Sequence, residues 1–212
     1  MTRFVFVRHG ESESNITADF TGSLDAALSE KGLLQADLTA EFLKDTQIDA
    51  AYASDLKRAF VTGERVAERH GVTVVPDRAL REIFGGDWEG VPYAELAERW
   101  PEEYDNWKHH PARCRCPGGE SLADVYHRVV NEVERLAGLH EGQTVLIATH
   151  ATPIRVMKLR MLGLPLSRLG EVGWSSNASV TVADFDGGCW RIVLDGADDH
   201  LSAVRTELPK TI

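Results

Sequence analysis

Two short apolar runs, far apart in the sequence, each end in a histidine. Phe4 to Val7 leads into Arg8-His9, and Thr144 to Ala148 leads into Thr149-His150. Runs of this kind, without polar alternation, are typical of strands that are buried on both faces of a parallel sheet. Open α/β sheets bind their ligands beyond the carboxyl ends of such strands. The sequence therefore predicts that His9 and His150 face one site at a sheet edge.

Helical patterns separate the apolar runs. A helix is predicted to begin after an N-cap at Ser29, and a second at Ser54-Asp55. The predicted strands are residues 3–7, 47–53, 72–75, the run that ends at His150, and a C-terminal hairpin of residues 178–185 and 190–194. Further helices are predicted from Glu120-Ser121 onward and from Pro153 to Leu162. This alternation predicts the α/β class, as a three-layer sandwich with a mostly parallel central sheet and helices on both faces.

Residues 1–212 are predicted to form one domain, because their number is that of an ordinary single domain. Residues 8–28 read as a long polar loop with a functional role. Residues 79–120 are less regular and are broken by prolines, with a helical stretch around residues 93–100. We expect residues 79–120 to be an insertion that lies as a lid over the sheet edge.

Composition and charge exclude several classes of function. The net charge of −10 disfavours nucleic acid and anionic membranes as partners. No apolar stretch approaches the ~20 residues that cross a bilayer. Because Arg8 interrupts the first apolar run, no signal peptide is predicted and a cytoplasmic location is expected. The three cysteines Cys114, Cys116 and Cys189 lack the spacing of a metal site, so reduced thiols are predicted.

Four basic side chains are predicted to converge on the sheet edge. Arg8-His9 and His150 follow strands, and Arg58 lies in the first turns of the helix after Ser54. Arginine forks match phosphate oxygens, and a helix N-terminus adds a positive field. Such a set is suited to a dianion, for which Glu82 could serve as a proton donor. Rival acids are present, and the sequence alone does not rank them: Glu11, Glu13, Asp87 and Glu89.

The same residues carry a resemblance that covers residues 3 to about 160. The matching segments are Arg8-His9-Gly10-Glu11 with Asn15, Ser54-Asp55-Leu56-Lys57-Arg58-Ala59, Leu80-Arg81-Glu82 with the stretch through Gly90, Pro117-Gly118-Gly119-Glu120-Ser121, and Thr149-His150. In this order they resemble the histidine phosphatase, or phosphoglycerate mutase-like, superfamily. The resemblance implies a phosphoglycerate mutase-like fold.

The resemblance also implies a role for each matching residue. His9 would be the nucleophile that forms a phosphohistidine. Arg8, Arg58 and His150 would bind the phosphoryl oxygens, and Glu82 would protonate the leaving group. Further phosphate contacts would come from Asn15 and from the backbone N–H of Ala151, which stands where the family commonly has glycine. No metal and no cofactor are implied, since the fixed cations occupy the role of Mg²⁺.

Within the superfamily, the segments at residues 84–90 and 117–121 are more similar to the small phosphatases than to the mutases. The sequence therefore predicts hydrolysis of small phosphomonoesters, with mutase-type phosphoryl transfer or a non-catalytic phosphate-binding module as alternatives. The expected partner is a small phosphorylated metabolite, and a homodimer remains open. Arg113 and Arg115, in a proline-bounded stretch of an acidic chain, are predicted to select the substrate together with Trp88.

Overall fold

The computed structural model describes residues 1–17 and 19–206 of the chain. One sheet of six strands forms its centre, in the order β3-β2-β4-β1-β5-β6. The strands are β1 Thr2–Arg8, β2 Ala50–Ala53, β3 Val74–Pro76, β4 Thr144–Thr149, β5 Val180–Asp186 and β6 Cys189–Ala197. The first four pair in parallel, and β5 and β6 join as an antiparallel hairpin at one edge.

Seven α-helices accompany the sheet in the described part of the chain. They are α1 Glu13–Thr17, α2 Glu30–Leu43, α3 Lys57–Glu68, α4 Tyr93–Arg99, α5 Pro101–His109, α6 Leu122–Leu139 and α7 Ala151–Leu162. Short 3-10 helices lie at Arg78–Leu80, Gly86–Trp88, Pro111–Arg113, Leu166–Glu171 and Asp199–Val204. None of the described helices is long and apolar enough to cross a bilayer.

The alternation of side chains along β1 divides the core into two layers. Phe4 and Phe6 pack with the apolar faces of α6 and α7 on one side of the sheet. Val5 and Val7 pack with α2 and α3 on the other side. Successive residues of a strand point to opposite faces, so a continuously apolar strand must be covered twice. The predicted three-layer α/β fold with a mostly parallel sheet is thus confirmed.

Several segments differ from the sequence predictions, among them β2, which begins at Ala50 rather than at residue 47. The polar segment 8–28 contains the short helix α1. Helix α3 begins at Lys57 rather than at Ser54-Asp55, because the Ser54 N–H still bonds to β4 at the Ala148 carbonyl. Helix α7 begins at Ala151, two residues before the predicted start at Pro153. A proline is tolerated there because the first N–H groups of a helix have no partner within the helix.

Candidate active site

The two histidines meet because their strands are adjacent and in register. Arg8 at the end of β1 pairs with Thr149 at the end of β4. The next residue of each strand is a histidine, and the His9 N–H donates to the Thr149 carbonyl at 2.9 Å. The two imidazole rings are buried with their centroids 5.1 Å apart. The structure therefore brings together the pair that the sequence predicted.

His9 is held with one nitrogen available. Its Nδ1 lies 2.7 Å from the Gly10 carbonyl oxygen, which can only accept, so Nδ1 carries the proton. Nε2 then has a lone pair, and Arg58 Nε donates to it at 3.3 Å. Burial, with Arg58 and Arg8 nearby, lowers the pKa of His9 well below its ordinary value. The imidazole is thus neutral near pH 7, the state in which it can attack as a nucleophile.

His150 is held by its other nitrogen. Its Nε2 lies 2.8 Å from Ser54 Oγ. Its Nδ1 is buried and has no hydrogen-bond partner among the described residues. Buried polar atoms normally have a partner, so this nitrogen is available to a ligand atom in the site. Burial, again with Arg58 close by, lowers the pKa of His150 well below its ordinary value.

Two buried arginines flank the histidines. Arg8 donates from Nη1 to the Ser175 carbonyl, while its Nε is buried without a partner among the described residues. Arg58 donates to the carbonyls of Leu24 at 2.6 Å and Gly22 at 2.8 Å. Burial lowers the pKa of each arginine to about 10. Both remain charged at neutral pH, so the site holds two fixed positive charges with no ion-pair partner in the described part of the chain.

A carboxylate and two amides complete the site. Glu82 accepts from the backbone N–H groups of Ile83 at 2.9 Å and Thr152 at 3.3 Å, the latter in the first turn of α7. Asn177 Nδ2 donates to the His9 carbonyl and to Asn15 Oδ1, both at 3.1 Å. These contacts fix the loop after β1 and the side-chain amide of Asn15, which is predicted to bind phosphate.

The site opens into one cavity, which we call the first cavity. Polar members of its lining are Arg8, His9, Ser14, Asn15, Asp19, Thr21, Arg58, Glu82, Thr152, Asn177 and Thr206. Aromatic members are Phe20, Tyr93, Trp107 and Trp174, and Gly22, Ile83 and Ala151 complete it. Among the described residues Asp19 and Glu82 are the only carboxylates of this lining, so the rival acids Glu11, Glu13, Asp87 and Glu89 do not line it.

Ala151 occupies the position where the family commonly has glycine. It is the first residue of α7, and its φ is not positive, so alanine adopts this backbone without strain. Its N–H lies at a helix N-terminus, where such groups have no partner within the helix. The substitution therefore leaves the predicted backbone contact possible.

The three residues predicted to select the substrate do not line the first cavity. Trp88 is completely buried and packs edge-on against Phe20 and Trp107, so it is a core residue beneath the cavity wall. Arg115 is exposed and pairs with Asp124 at 3.0 Å. Arg113 ends a short 3-10 helix and is likewise absent from the lining. The structure thus places these three side chains outside the first cavity, and their role in substrate selection stays a prediction.

Several site residues were not predicted from the sequence. Ser54 was interpreted only as a helix cap, although it follows a strand directly, as the two histidines do. Asn177 and Trp174 lie in an irregular segment before β5 and carry no local signal. Asn177 and Trp174 reach the site because β5 pairs antiparallel with β1, a pairing that only the strand order of the sheet reveals.

The described residues around the site form no metal-binding cluster. Within residues 1–17 and 19–206, no group of three or more His, Cys, Asp or Glu side chains could hold a metal ion. Cys114 and Cys116 are buried free thiols, and burial raises the pKa of both. They are therefore protonated core residues in this structure.

The chain is similar in sequence and in fold to known phosphatases. Residues 4–197 match the histidine phosphatase superfamily (branch 1). Phosphoserine phosphatase 1 of Hydrogenobacter thermophilus is 38% identical over 182 residues, which cover 86% of each chain. Metal-independent phosphoserine phosphatase of Arabidopsis thaliana is 34% identical over 211 residues, or 96% of this chain and 85% of that protein. The solved structure of Bacillus stearothermophilus YhfR superimposes with a TM-score of 0.90 at 31% identity, over 95% of this chain and 100% of the other.

Proposed function

Because the chain belongs to the histidine phosphatase superfamily, we propose that it hydrolyses small phosphomonoesters by way of a phosphohistidine at His9. Its similarity to two phosphoserine phosphatases over most of its length supports a phosphatase rather than a mutase. The first cavity supports the same choice. Its described lining holds only Arg8 and Arg58 as permanently charged cations, enough for one phosphoryl group but not for a bisphosphate.

One observation carries the proposal. Two buried neutral imidazoles lie side by side between two buried guanidinium groups, and the orphan Nδ1 of His150 has no partner within the described chain. A phosphoryl group that contacts His9 Nε2 and lies at the edge of both rings would accept hydrogen bonds from His150 Nδ1 and Arg8 Nε. Charge-assisted hydrogen bonds of this kind are roughly twice as strong as neutral ones.

The reaction follows in two displacements. His9 Nε2 attacks phosphorus, the P–N bond forms, and the bond from phosphorus to the ester oxygen breaks. Glu82 acts as the general acid that supplies a proton to the departing alkoxide. Water then attacks the phosphohistidine, Glu82 takes a proton from it, and phosphate leaves with the P–N bond broken. Arg8, Arg58 and His150 stabilise the charge on the oxygens in both steps.

The test is ³¹P NMR of the purified protein with 3-phosphoglycerate and a panel of phosphomonoesters, in the presence of EDTA. We expect free phosphate from several esters, because the fixed cations supply the charge stabilisation. His9→Ala is expected to abolish turnover, since it removes the attacking atom. As a matched control, His127→Ala replaces a histidine of α6 outside the first cavity and should leave turnover unchanged.

Other outcomes would overturn the proposal. Conversion of 3-phosphoglycerate into its 2-isomer without phosphate release would show a mutase. Binding of phosphate without turnover of any ester would show a phosphate-binding module. Loss of turnover in EDTA, restored by a divalent cation, would contradict the metal-independent route.

We infer that the physiological partner is a small phosphorylated metabolite and that the protein works in the cytoplasm without nucleic acid or membrane. The acidic net charge of −10 supports the exclusion of polyanions. The single-domain organisation and a homodimer remain predictions. Sedimentation of the purified protein tests whether it is a homodimer.

A further inference from the structure

A second cavity adjoins the first. Its volume is about 230 Å³, which is room for a group of several atoms as well as water. The indole rings of Trp107 and Trp174 line both cavities and so form a shared wall. The other lining residues are Lys108, Pro111, Leu122, Arg155, Leu169, Gly170, Val172 and Gly173.

A buried cation lies in the wall of the second cavity. Arg155 on α7 is 8% exposed and donates from Nε to the Val172 carbonyl at 3.1 Å and from Nη2 to the Leu169 carbonyl at 2.8 Å. Its guanidinium carbon lies 4.0 Å from the centroid of the Trp174 ring. No described carboxylate lies within ion-pair distance of it. Although burial lowers the pKa of Arg155 to about 10, the group is charged at neutral pH.

This arrangement leaves the Arg155 guanidinium with donors beyond the two that bond to carbonyls. A guanidinium has five N–H donors, and a buried charge is usually paired with a carboxylate or phosphate. Arg155 has two carbonyl acceptors and one aromatic face, so its charge is solvated but not neutralised. An anionic group in the second cavity would neutralise it.

The first cavity offers no further cation for a second anionic group of the substrate. Its two arginines and His9 are already assigned to the phosphoryl group, and among the described residues no lysine joins its lining. Asp19 in that lining would repel a second anion. A second negative charge on the substrate therefore meets a cation beyond the Trp107–Trp174 wall, where Arg155 and Lys108 line the second cavity.

We propose that the second cavity is a subsite for the distal anionic group of an elongated phosphomonoester, with Arg155 as the recognising cation and Trp107 and Trp174 in contact with the linking chain. This rests on the proposed phosphatase function of the first cavity. The subsite assigns to Arg155 the substrate selection that the sequence had suggested for Arg113 and Arg115.

The test compares two series of synthetic esters, ω-carboxyalkyl phosphates and ω-hydroxyalkyl phosphates of equal chain length. The ratio of their kcat/KM values is measured for chains of about two to about eight carbons. Short chains should give a ratio near one. At the length that spans both cavities, the ratio should rise about tenfold, the effect of one charge-assisted hydrogen bond.

Charge variants locate the effect. Arg155→Met is expected to return the ratio to about one at every length, whereas Arg160→Met keeps the peak, because Arg160 lies on the same helix but pairs with Glu134 outside both cavities. Because Arg155 also donates to two backbone carbonyls, a second pair of variants, at Gly173, leaves Arg155 unchanged. A Cβ at Gly173 meets no atom within 4 Å, so Gly173→Asp fits and should abolish the peak by repulsion, while Gly173→Asn retains it.

The outcomes separate the two proposals. Absence of hydrolysis for every ester overturns the phosphatase function and the subsite with it. Hydrolysis with a ratio near one at all lengths overturns the subsite alone. A peak that persists in both Arg155→Met and Gly173→Asp also overturns it, because the anion would then be recognised elsewhere.

Discussion

The two catalytic histidine candidates differ in which ring nitrogen is occupied. His9 uses Nδ1 to bond to the Gly10 carbonyl, and His150 uses Nε2 to bond to Ser54. Each ring thereby presents its other nitrogen, His9 as a lone pair and His150 as an unpartnered atom. A hydrogen-bond partner fixes the orientation of an imidazole, and a carbonyl partner, as at His9, also fixes its tautomer. The division of labour between the two residues is therefore set by their neighbours.

Ser54→Ala should lower kcat without unfolding the protein. The variant removes the hydroxyl that holds His150 Nε2 at 2.8 Å, so the ring can rotate away from the phosphoryl position. The loss of one buried hydrogen bond of about 1 kcal/mol corresponds to about fivefold in kcat. Steady-state kinetics on one ester measures it. Because Ser54 acts through His150, the pH profile of kcat should also change.

Ser12→Ala is the matched control for that substitution. Ser12 is equally buried, but its hydroxyl has no hydrogen-bond partner among the described residues. Its removal should leave kcat unchanged and not reduce stability. Equal effects of the two substitutions on kcat would refute a positioning role for Ser54.

At the scale of elements, the approach of α2 to the loop after β1 depends on two glycines. A Cβ on Gly10 would overlap the Gly32 carbonyl oxygen, and a Cβ on Gly32 would overlap the Glu11 carbonyl oxygen. Glycine is required wherever two backbone segments come this close. The contact fixes the loop that carries His9, with the Gly10 N–H donating to Thr62 of α3 at 3.1 Å.

Two glycine-to-alanine substitutions in helices should therefore have opposite effects. Gly32→Ala in α2 is expected to destabilise the protein by more than about 2 kcal/mol and to reduce activity, because backbone must move. Gly138→Ala in α6 meets no atom within 4 Å and should stabilise by about 1 kcal/mol. Urea denaturation measures both. Similar stability changes of the same sign would show that the close contact does not matter.

At the scale of the whole molecule, the site carries a cost in stability that depends on pH. His9 and His150 are both buried, and the pKa of each is lowered well below 6.5 in the folded state. In the unfolded chain both have ordinary pKa values. Below pH 6.5 the unfolded state therefore binds protons that the folded state does not, which favours unfolding.

The free energy of unfolding should thus be constant above pH ~6.5 and fall below it, by about 1.4 kcal/mol per pH unit for each histidine. His70 and His200, whose pKa values burial also lowers, act in the same direction. Urea titrations between pH ~7.5 and ~5.5 measure the slope. Replacing His150 with Asn should remove the contribution of one histidine to the slope of the unfolding free energy against pH. An equal free energy of unfolding across this range would contradict the lowered pKa values.

The sequence by itself determined the layers and the main participants in the site. Apolar periodicity is a local property, so it identified β1, β4 and the helices that cover them. The histidines His9 and His150 were predicted as site residues because each directly follows one of these strands. The order of the motifs indicated the family, and the family match agrees with it. Helix ends were less well predicted, because the N–H of Ser54 is taken by β4, a partner distant in sequence.

Only the tertiary structure decided which neighbours support these residues. Ser54 and His150 are 96 positions apart, and Asn177 and the His9 carbonyl are 168 apart. Trp88 is in the core and Arg155 in a cavity wall, although their sequence neighbourhoods suggest neither. Periodicity specifies which face of an element is buried, but the order of strands in the sheet specifies which faces meet. Contacts between residues that are distant in sequence, brought together by this strand order, leave no local sequence pattern. These contacts hold the site together.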